Sequence, residues 1–238
     1  MTVNSFGKEV KTQPTDPGWK KWRASDQTSP HWYDLVHLER LVTAYIAHDQ
    51  ATGRRRTVRD FIAEFRGLTR SGKQKTVLTE TGLARTSLVD LLENGAVSTG
   101  KIGALLDAMK RHSKAVKPLA LGSIGKAHIT GRLRALGCEA EMIRYQRITG
   151  EKQGVPWLVE MAFGWCPRLP ERRLVTGVNW SPGILNPFRE LGECGDSLDS
   201  VLEQQRAGSQ EEVCVLLHLV CPRIEYTDRG KSAVVITE

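Results

Sequence analysis

Residues Val213–Lys231 read VCVLLHLVCPRIEYTDRGK, and they predict a buried strand that runs into a polar loop. Val213–Val220 is an apolar run of strand length. A polar turn with one glycine, Thr227–Gly230, comes next, and Lys231 stands directly after it. A lysine held there by a buried strand can carry a point charge to a phosphate, and it can equally be a solvated turn residue.

The spacing of apolar residues upstream of this run predicts further strands of the same sheet. After Gly137 the apolar period changes from that of a helix to that of a strand. The other predicted elements of this half are strands Ala140–Ile148, Pro156–Phe163 and Arg173–Asn179, and helices Ile124–Leu136 and Ser197–Arg206. Helices on one side of a mostly antiparallel sheet define an α+β layer fold, which is the class we expect.

The first half of the chain has a helical period instead. Helices are predicted over His31–Asp49, from Thr57, over Ala84–Glu93 and from Ser98 or Thr99 onward, with Leu68–Lys75 as a connection. Residues 1–30 are polar and rich in proline, which predicts a flexible arm that Trp19 and Trp22 can dock on a neighbouring surface. We therefore expect three parts: the arm 1–30, a helical unit 31–117 and an α+β domain 118–238.

Positive charge is concentrated in the first half. Residues 1–120 carry 20 Lys and Arg against 12 Asp and Glu, a balance of +8, whereas residues 121–238 carry 14 against 15, a balance of −1. Such asymmetry indicates a polyanionic partner for the first half, although a basic surface can also serve solubility alone.

One segment of the helical unit favours duplex DNA as that partner. Thr79–Leu92, TETGLARTSLVDLL, places a small-residue turn before a predicted helix, as in a helix–turn–helix relative, and a plain three-helix bundle with a solvated face fits as well. The cations that we expect to contact DNA, chiefly through phosphates, are Arg66, Arg70, Lys73, Lys75 and Arg85.

The cysteines and the hydropathy favour a cytoplasmic protein. The chain has an odd number of cysteines, and no pair has the two-residue spacing of a zinc or redox motif, so we expect free thiols in a reducing compartment. The cysteines are Cys138, Cys166, Cys194, Cys214 and Cys221. No apolar run reaches the roughly 18 residues of a membrane span, and the N-terminus lacks a signal-peptide core, so no membrane partner is expected.

Three polar residues within apolar or glycine-rich surroundings have mainly structural interpretations. Lys126 lies near two glycines without a phosphate-binding spacing and predicts a helix entry. Glu160 interrupts an apolar strand and is expected to be a surface or paired residue. His218 is expected to be a hydrogen-bonded core histidine, and because no second carboxylate or serine completes a hydrolytic set, we predict no catalytic residue.

Taken in order, the segments from Thr57 to Lys231 resemble the B subunit of DNA topoisomerase VI, a type IIB topoisomerase. The resembling segments are FRGLTRSGKQKTVLTETGL (65–83), LALGSIGKAHI (119–129), VPWLVEMAF (155–163), GVNWSP (177–182) and VLLHLVCPRIEYTDRGKSA (215–233). The first is similar to the family's helix–two-turns–helix insert, and the others are similar to its transducer domain. Trp180 stands where the family usually has arginine, and residues 1–56 have no counterpart that we can place.

The resemblance implies a basic helix–two-turns–helix-like unit followed by a transducer-type mixed or antiparallel sheet backed by helices. It implies that Lys231 is the switch lysine that reaches the terminal phosphate of a nucleotide. ATP and Mg²⁺ would be bound only through a GHKL domain, whose motifs this chain lacks, so the chain alone is expected to be inactive.

The implied partners are double-stranded DNA, a GHKL ATPase domain or subunit, and a topoisomerase VI A-like cleavage subunit, in a cytoplasmic, nucleoid-associated setting. The chain ends at Glu238, before the family's long connecting helix, so a fragment or a split subunit is expected. The alternative is a stand-alone DNA-binding or regulatory module that has no ATPase partner.

Overall fold

The structure is a computed structural model that describes residues 2–5, 8–11, 18–182, 185–190, 197–227 and 233–235. Within these residues a mostly helical part comes first and a five-stranded mixed sheet follows it, so the chain is mixed α/β. The division into an arm, a helical unit and a sheet domain at residues 30 and 117 stays a prediction.

Most of the predicted helices are present with slightly shifted ends. The α-helices of the described residues are α1 (Leu35–Thr52), α2 (Val58–Ala63), α3 (Ser71–Thr81), α4 (Thr99–Arg111), α5 (Lys126–Ala135) and α6 (Leu198–Gln204). Thr57 caps α2 as predicted, since its hydroxyl accepts from the Asp60 amide while the Asp60 carboxylate accepts from the Thr57 amide.

The sheet contains the four predicted strands and one further short strand. The strands of the described residues are β1 (Thr2–Ser5), β2 (Lys8–Lys11), β3 (Leu92–Glu93), β4 (Ala96–Val97), β5 (Arg144–Lys152), β6 (Val155–Trp165), β7 (Arg173–Val178), β8 (Ser181–Pro182) and β9 (Val213–Val220). Two hairpins, β1–β2 and β3–β4, stand outside the main sheet, whose order is β5-β6-β9-β7-β8. Of the described pairs in this sheet, β7 and β9 alone run parallel.

The prediction that Leu68–Lys75 is a connection is wrong, because α3 already begins at Ser71. The buried Gln74 side chain stabilises this helix start, since its amide donates to the carbonyls of Leu68 and Thr69 at 3.0 Å each. Ser71 and Gly72 are residues typical of a turn, which is why the sequence predicts a connection here. The hydrogen bonds from Gln74 to the two residues just before α3 favour the helix instead.

The predicted helix Ala84–Glu93 is also wrong. Only Leu88–Leu91 coils there, as a single 3₁₀ turn that opens with a capping box between Ser87 and Asp90. Asn94 and Gly95 then adopt left-handed conformations, with φ of 51° and 82°, and turn the chain back as the hairpin β3–β4. The second helix of the predicted helix–turn–helix segment therefore does not form.

The core of the helical part is one cluster of buried apolar side chains from α1 to α4. Phe61, Leu105 and Met109 are fully buried in it. Arg56 closes one edge: its guanidinium is 6 % exposed, lies 3.0 Å from Glu64 and stacks 4.1 Å from the ring centroid of Tyr45. This arginine is consequently internal and does not add to the basic surface.

The two faces of the sheet are covered unequally, because α5 packs on one face while Phe163 and Trp165 of β6 stay exposed on the other. On one face, Ile129 and Leu133 of α5 pack with Ala162 and Cys214. On the other face, α6 contributes to a small cluster that contains Val213 and Val215 of β9. Neighbouring residues of a strand point to opposite faces, so the apolar run of β9 places apolar side chains on both faces of the sheet.

Residues 18–23, which we call the strap, run along the sheet part as an extended segment. The Trp19 indole N–H donates to the carbonyl of Ser123 at 2.6 Å, and the Trp22 amide donates to the carbonyl of Leu121 at 2.8 Å. Gly122 permits this close approach, because a Cβ there would lie 2.6 Å from the carbonyl oxygen of Lys20. The docking predicted for the two tryptophans is confirmed.

The cysteine prediction is wrong for one pair, because Cys138 and Cys166 form a disulfide. The Glu139 amide donates to the carbonyl of Trp165 at 3.0 Å, and this bond brings the turn after α5 against the end of β6. Cys214 and Cys221 are free, as predicted. In the described part of the chain no helix is both long and apolar enough to cross a membrane.

Candidate functional site

The register of the central strands places two polar side chains opposite each other inside an apolar sheet. β6 and β9 run antiparallel with Glu160 directly across from His218, so both side chains lie on the face that α5 covers. Glu160 is 0 % exposed and His218 is 4 % exposed. A carboxylate buried this completely is stable only if its oxygens are hydrogen-bonded.

Four groups from three separate segments surround the Glu160 carboxylate. The backbone amides of Ile124 and Gly125 donate to it at 2.7 Å each, and the Tyr145 hydroxyl donates at 2.8 Å. The His218 ring lies alongside, with Nδ1 at 3.3 Å from Oε2. Because the two amides belong to the residues just before α5, the carboxylate takes the place of a capping side chain for this helix.

His218 links the carboxylate to the end of β7. Its Nε2 makes a short hydrogen bond with the carbonyl oxygen of Asn179, while Nδ1 faces Glu160. Both neighbours are acceptors, so an imidazolium can donate to both of them and a neutral ring to one. Asn179 itself has φ of 54°, and its side-chain oxygen accepts from the Cys221 amide at 2.9 Å.

The pKa values of the two acids in this network follow from these contacts. Burial alone raises the pKa of Glu160, but hydrogen bonds from His218, Gly125, Ile124 and Tyr145 outweigh burial and lower the pKa to about 2. For Tyr145, burial and the hydrogen bond to the Glu160 carboxylate raise the pKa to about 12. At neutral pH the site is therefore a carboxylate held by a neutral phenol.

The Glu160 network, by which we mean Glu160, His218, Tyr145, Asn179 and the amides of Ile124 and Gly125, joins segments that are distant in sequence. In the described part of the chain no serine, threonine or cysteine is hydrogen-bonded to His218, so the arrangement lacks an activated nucleophile. The expectations that His218 is a hydrogen-bonded core residue and that Glu160 is paired are both confirmed.

The cations predicted to contact DNA are all exposed, but they do not share one helix face. Lys73 and Lys75 lie on opposite flanks of the buried face of α3, since they are the two neighbours of buried Gln74. Arg66 and Arg70 precede this helix, and Arg85 lies in the turn that follows it. Within the described ranges none of these side chains forms an ion pair, whereas Arg55 and Arg111 nearby pair with Asp90 and Glu80.

The remaining lysines of the sequence prediction have different outcomes. Lys126 is the first residue of α5, so the predicted helix entry is confirmed. Lys231 lies outside the described residues, as do residues 228–230 of the turn before it. Among the residues that are described, no cluster of three or more His, Cys, Asp or Glu could hold a metal ion.

The residues of the network that sequence reasoning missed are Tyr145 and Asn179 in their hydrogen-bonding roles. The local sequence around Tyr145 does not predict that its hydroxyl bonds to Glu160, which lies fifteen residues later on the neighbouring strand of a hairpin. Asn179 could have been recognised, since an asparagine at the end of a predicted strand is well suited to a left-handed conformation.

In comparisons with known proteins, neither a protein-family model nor a curated protein matches this chain.

We expect Glu160→Gln to lower the free energy of unfolding at neutral pH by about 3 kcal/mol, because it breaks a buried, fully hydrogen-bonded charge. The folded-state pKa of about 2 lies below the ordinary value near 4.5, so the contribution of Glu160 is complete above pH 4.5 and is lost as the pH falls toward 2. Urea denaturation across this pH range should show the difference between variant and wild type shrinking. Glu139→Gln, at an exposed position, is the matched control.

A Glu160→Gln variant as stable as the wild type at neutral pH would contradict the structural role of the carboxylate. A stability difference that does not change with pH would contradict the assignment of the low pKa to Glu160.

Proposed function

We propose that this chain is the helical and transducer-type part of a topoisomerase VI B-like machine, which contacts DNA and relays the nucleotide state to a DNA-cleaving subunit. The observation that carries the proposal is the convergence at Glu160. Ile124 and Gly125, Glu160, Asn179 and His218 come from four different segments that resemble the transducer domain, and all of them meet in one buried network.

This convergence supports a mechanical role for the sheet part. Movement at the end of β7 or at the start of α5 is transmitted to β6 and β9 through hydrogen bonds to one fixed carboxylate. A rigidly joined sheet and helix can swing as a unit when a ligand biases one of two arrangements. The nucleotide and Mg²⁺ would belong to a separate GHKL partner, and Lys231 would be the contact from this chain.

The exposed cations around α3 support the DNA contact. Their ammonium and guanidinium groups have no partner among the described side chains, so phosphates can bind them without breaking an ion pair. They lie in turns and on two flanks of one helix, which suits contacts to the DNA backbone. A helix–turn–helix module reads base edges with its second helix, and the helix predicted over Ala84–Glu93 for that role does not form.

The full chain should bind a labelled duplex of about 20 base pairs with an affinity that falls steeply between about 50 and 200 mM KCl. We expect the double variant Lys73→Glu, Lys75→Glu to bind more weakly and to reduce the slope of log K against log salt by about 2, because two phosphate contacts are lost. Fluorescence anisotropy at several salt concentrations measures both quantities.

The matched control is Arg132→Glu, Arg134→Glu, which makes the same change of charge on exposed residues of α5. If both double variants weaken binding equally, the cations around α3 have no special role. Binding that does not depend on salt would remove the basic half from the proposal.

Membership of a larger machine is tested by capturing partners from the native cells. The tagged full chain should co-purify with a GHKL ATPase or a topoisomerase VI A-like subunit, identified by mass spectrometry after nuclease treatment. Capture of neither protein, with DNA binding intact, would contradict the relay and leave a stand-alone DNA-binding module.

A further inference from the structure

A cavity of about 880 Å³ lies between the strap, the start of α5 and strands β7 and β9. Trp19 and Lys21 of the strap line one side, and Trp180 and His218 line the sheet side. Its volume is in the range that accommodates a small organic ligand. The cavity is remote in sequence from the cations around α3, and nothing in the proposed DNA contact uses it.

The aromatic walls of this cavity are fixed by hydrogen bonds. The indole N–H of Trp19 donates to the Ser123 carbonyl, and that of Trp180 donates to the Trp22 carbonyl, both at 2.6 Å. The rings of Trp19 and Trp180 meet edge to face with centroids 4.9 Å apart. Trp180 also lies against the His218 ring, at 5.3 Å between centroids. The walls are thus in place before a ligand arrives.

The charged side chains that line the cavity are all basic. The Lys21 ammonium lies 5.2 Å from the Trp19 ring centroid and 5.4 Å from that of Trp180, and Lys126 and His128 line the cavity from the first turn of α5. No carboxylate is found among the described lining residues. Glu160, behind His218, is fully buried and hydrogen-bonded, so it offers no oxygen to a cationic ligand.

Much of the remaining lining is apolar, with Thr176, Asn179 and Ser181 as its uncharged polar members. Ile124, Val175 and Leu216 contribute to this surface, and Val175 is an exposed large hydrophobic residue that faces the space. Apolar and aromatic walls favour a flat apolar body, and lysines without an acidic neighbour favour an anionic group. A cationic ligand would be repelled by Lys21 and Lys126, and a neutral ligand would leave both lysines without a counter-charge.

We propose that this cavity binds a small organic anion with a flat apolar body. The body lies against Trp19 and Trp180, and the anionic group pairs with Lys21 at the point where its ammonium already contacts both rings. The site stands on its own geometry and does not depend on the topoisomerase-like function proposed above.

The test is a titration of the full chain with 8-anilinonaphthalene-1-sulfonate, an anion of this shape, and with N-phenyl-1-naphthylamine, which lacks the sulfonate. Probe fluorescence should show roughly tenfold tighter binding of the anion, the size expected for one charge-assisted contact. Lys21→Met should weaken the anionic probe by roughly tenfold and leave the neutral probe unchanged. Lys20→Met, at the exposed neighbouring position, is the matched control and should change neither.

Two further measurements show whether the probe binds in this cavity. Gly122→Ala should weaken both probes, because the new Cβ would collide with the Lys20 carbonyl and displace the wall that the strap provides. An unlabelled DNA duplex should not displace the anionic probe, since the DNA-contacting cations lie elsewhere. Circular dichroism checks that each variant remains folded.

Equal affinity for the two probes would overturn the preference for an anion. Unchanged binding of the anionic probe to Lys21→Met and Gly122→Ala, or its displacement by the duplex, would place the probe outside this cavity and overturn the site.

Discussion

The sheet part depends on the burial of one carboxylate. A charge at the position of Glu160 is tolerable only because backbone amides, a phenol and an imidazole surround it, and these groups come from three separate stretches of the chain. The carboxylate therefore fixes where α5 starts, how β6 and β9 pair, and where β7 ends.

The strap and its cavity follow from the same constraint. Because the network fixes the end of β7, Trp180 is held where its indole can donate to the strap at Trp22. Because the network fixes the start of α5, Ser123 stands where it can accept from Trp19. The cavity that both tryptophans line is the proposed anion site, and the cations proposed to contact DNA lie in the helical part, which has its own core.

Sequence patterns predicted the elements whose signal is local. The apolar run Val213–Val220 is a strand, and Thr57 caps a helix, because strand period and capping chemistry act over a few residues. The segment Ala84–Glu93 was mistaken for a helix because its leucines have helical spacing, while a capping box and a tight turn shorten it. His218 and Glu160 could each be predicted to have partners, but their pairing with each other depends on a strand register that no local pattern reveals. The disulfide between Cys138 and Cys166 arises from the same kind of distant contact.

The most direct test of the central role of Glu160 is amide hydrogen exchange at the start of α5. In the wild type, the amides of Ile124 and Gly125 should exchange slowly, because they donate to a buried carboxylate, while the Ala127 amide, in the first turn without an intrahelical acceptor, should exchange fast. Glu160→Gln keeps one acceptor oxygen and places an NH2 group where the other stood, so the protection of at least one of the two amides should fall toward that of Ala127. Fast exchange of Ile124 and Gly125 in the wild type would contradict the account.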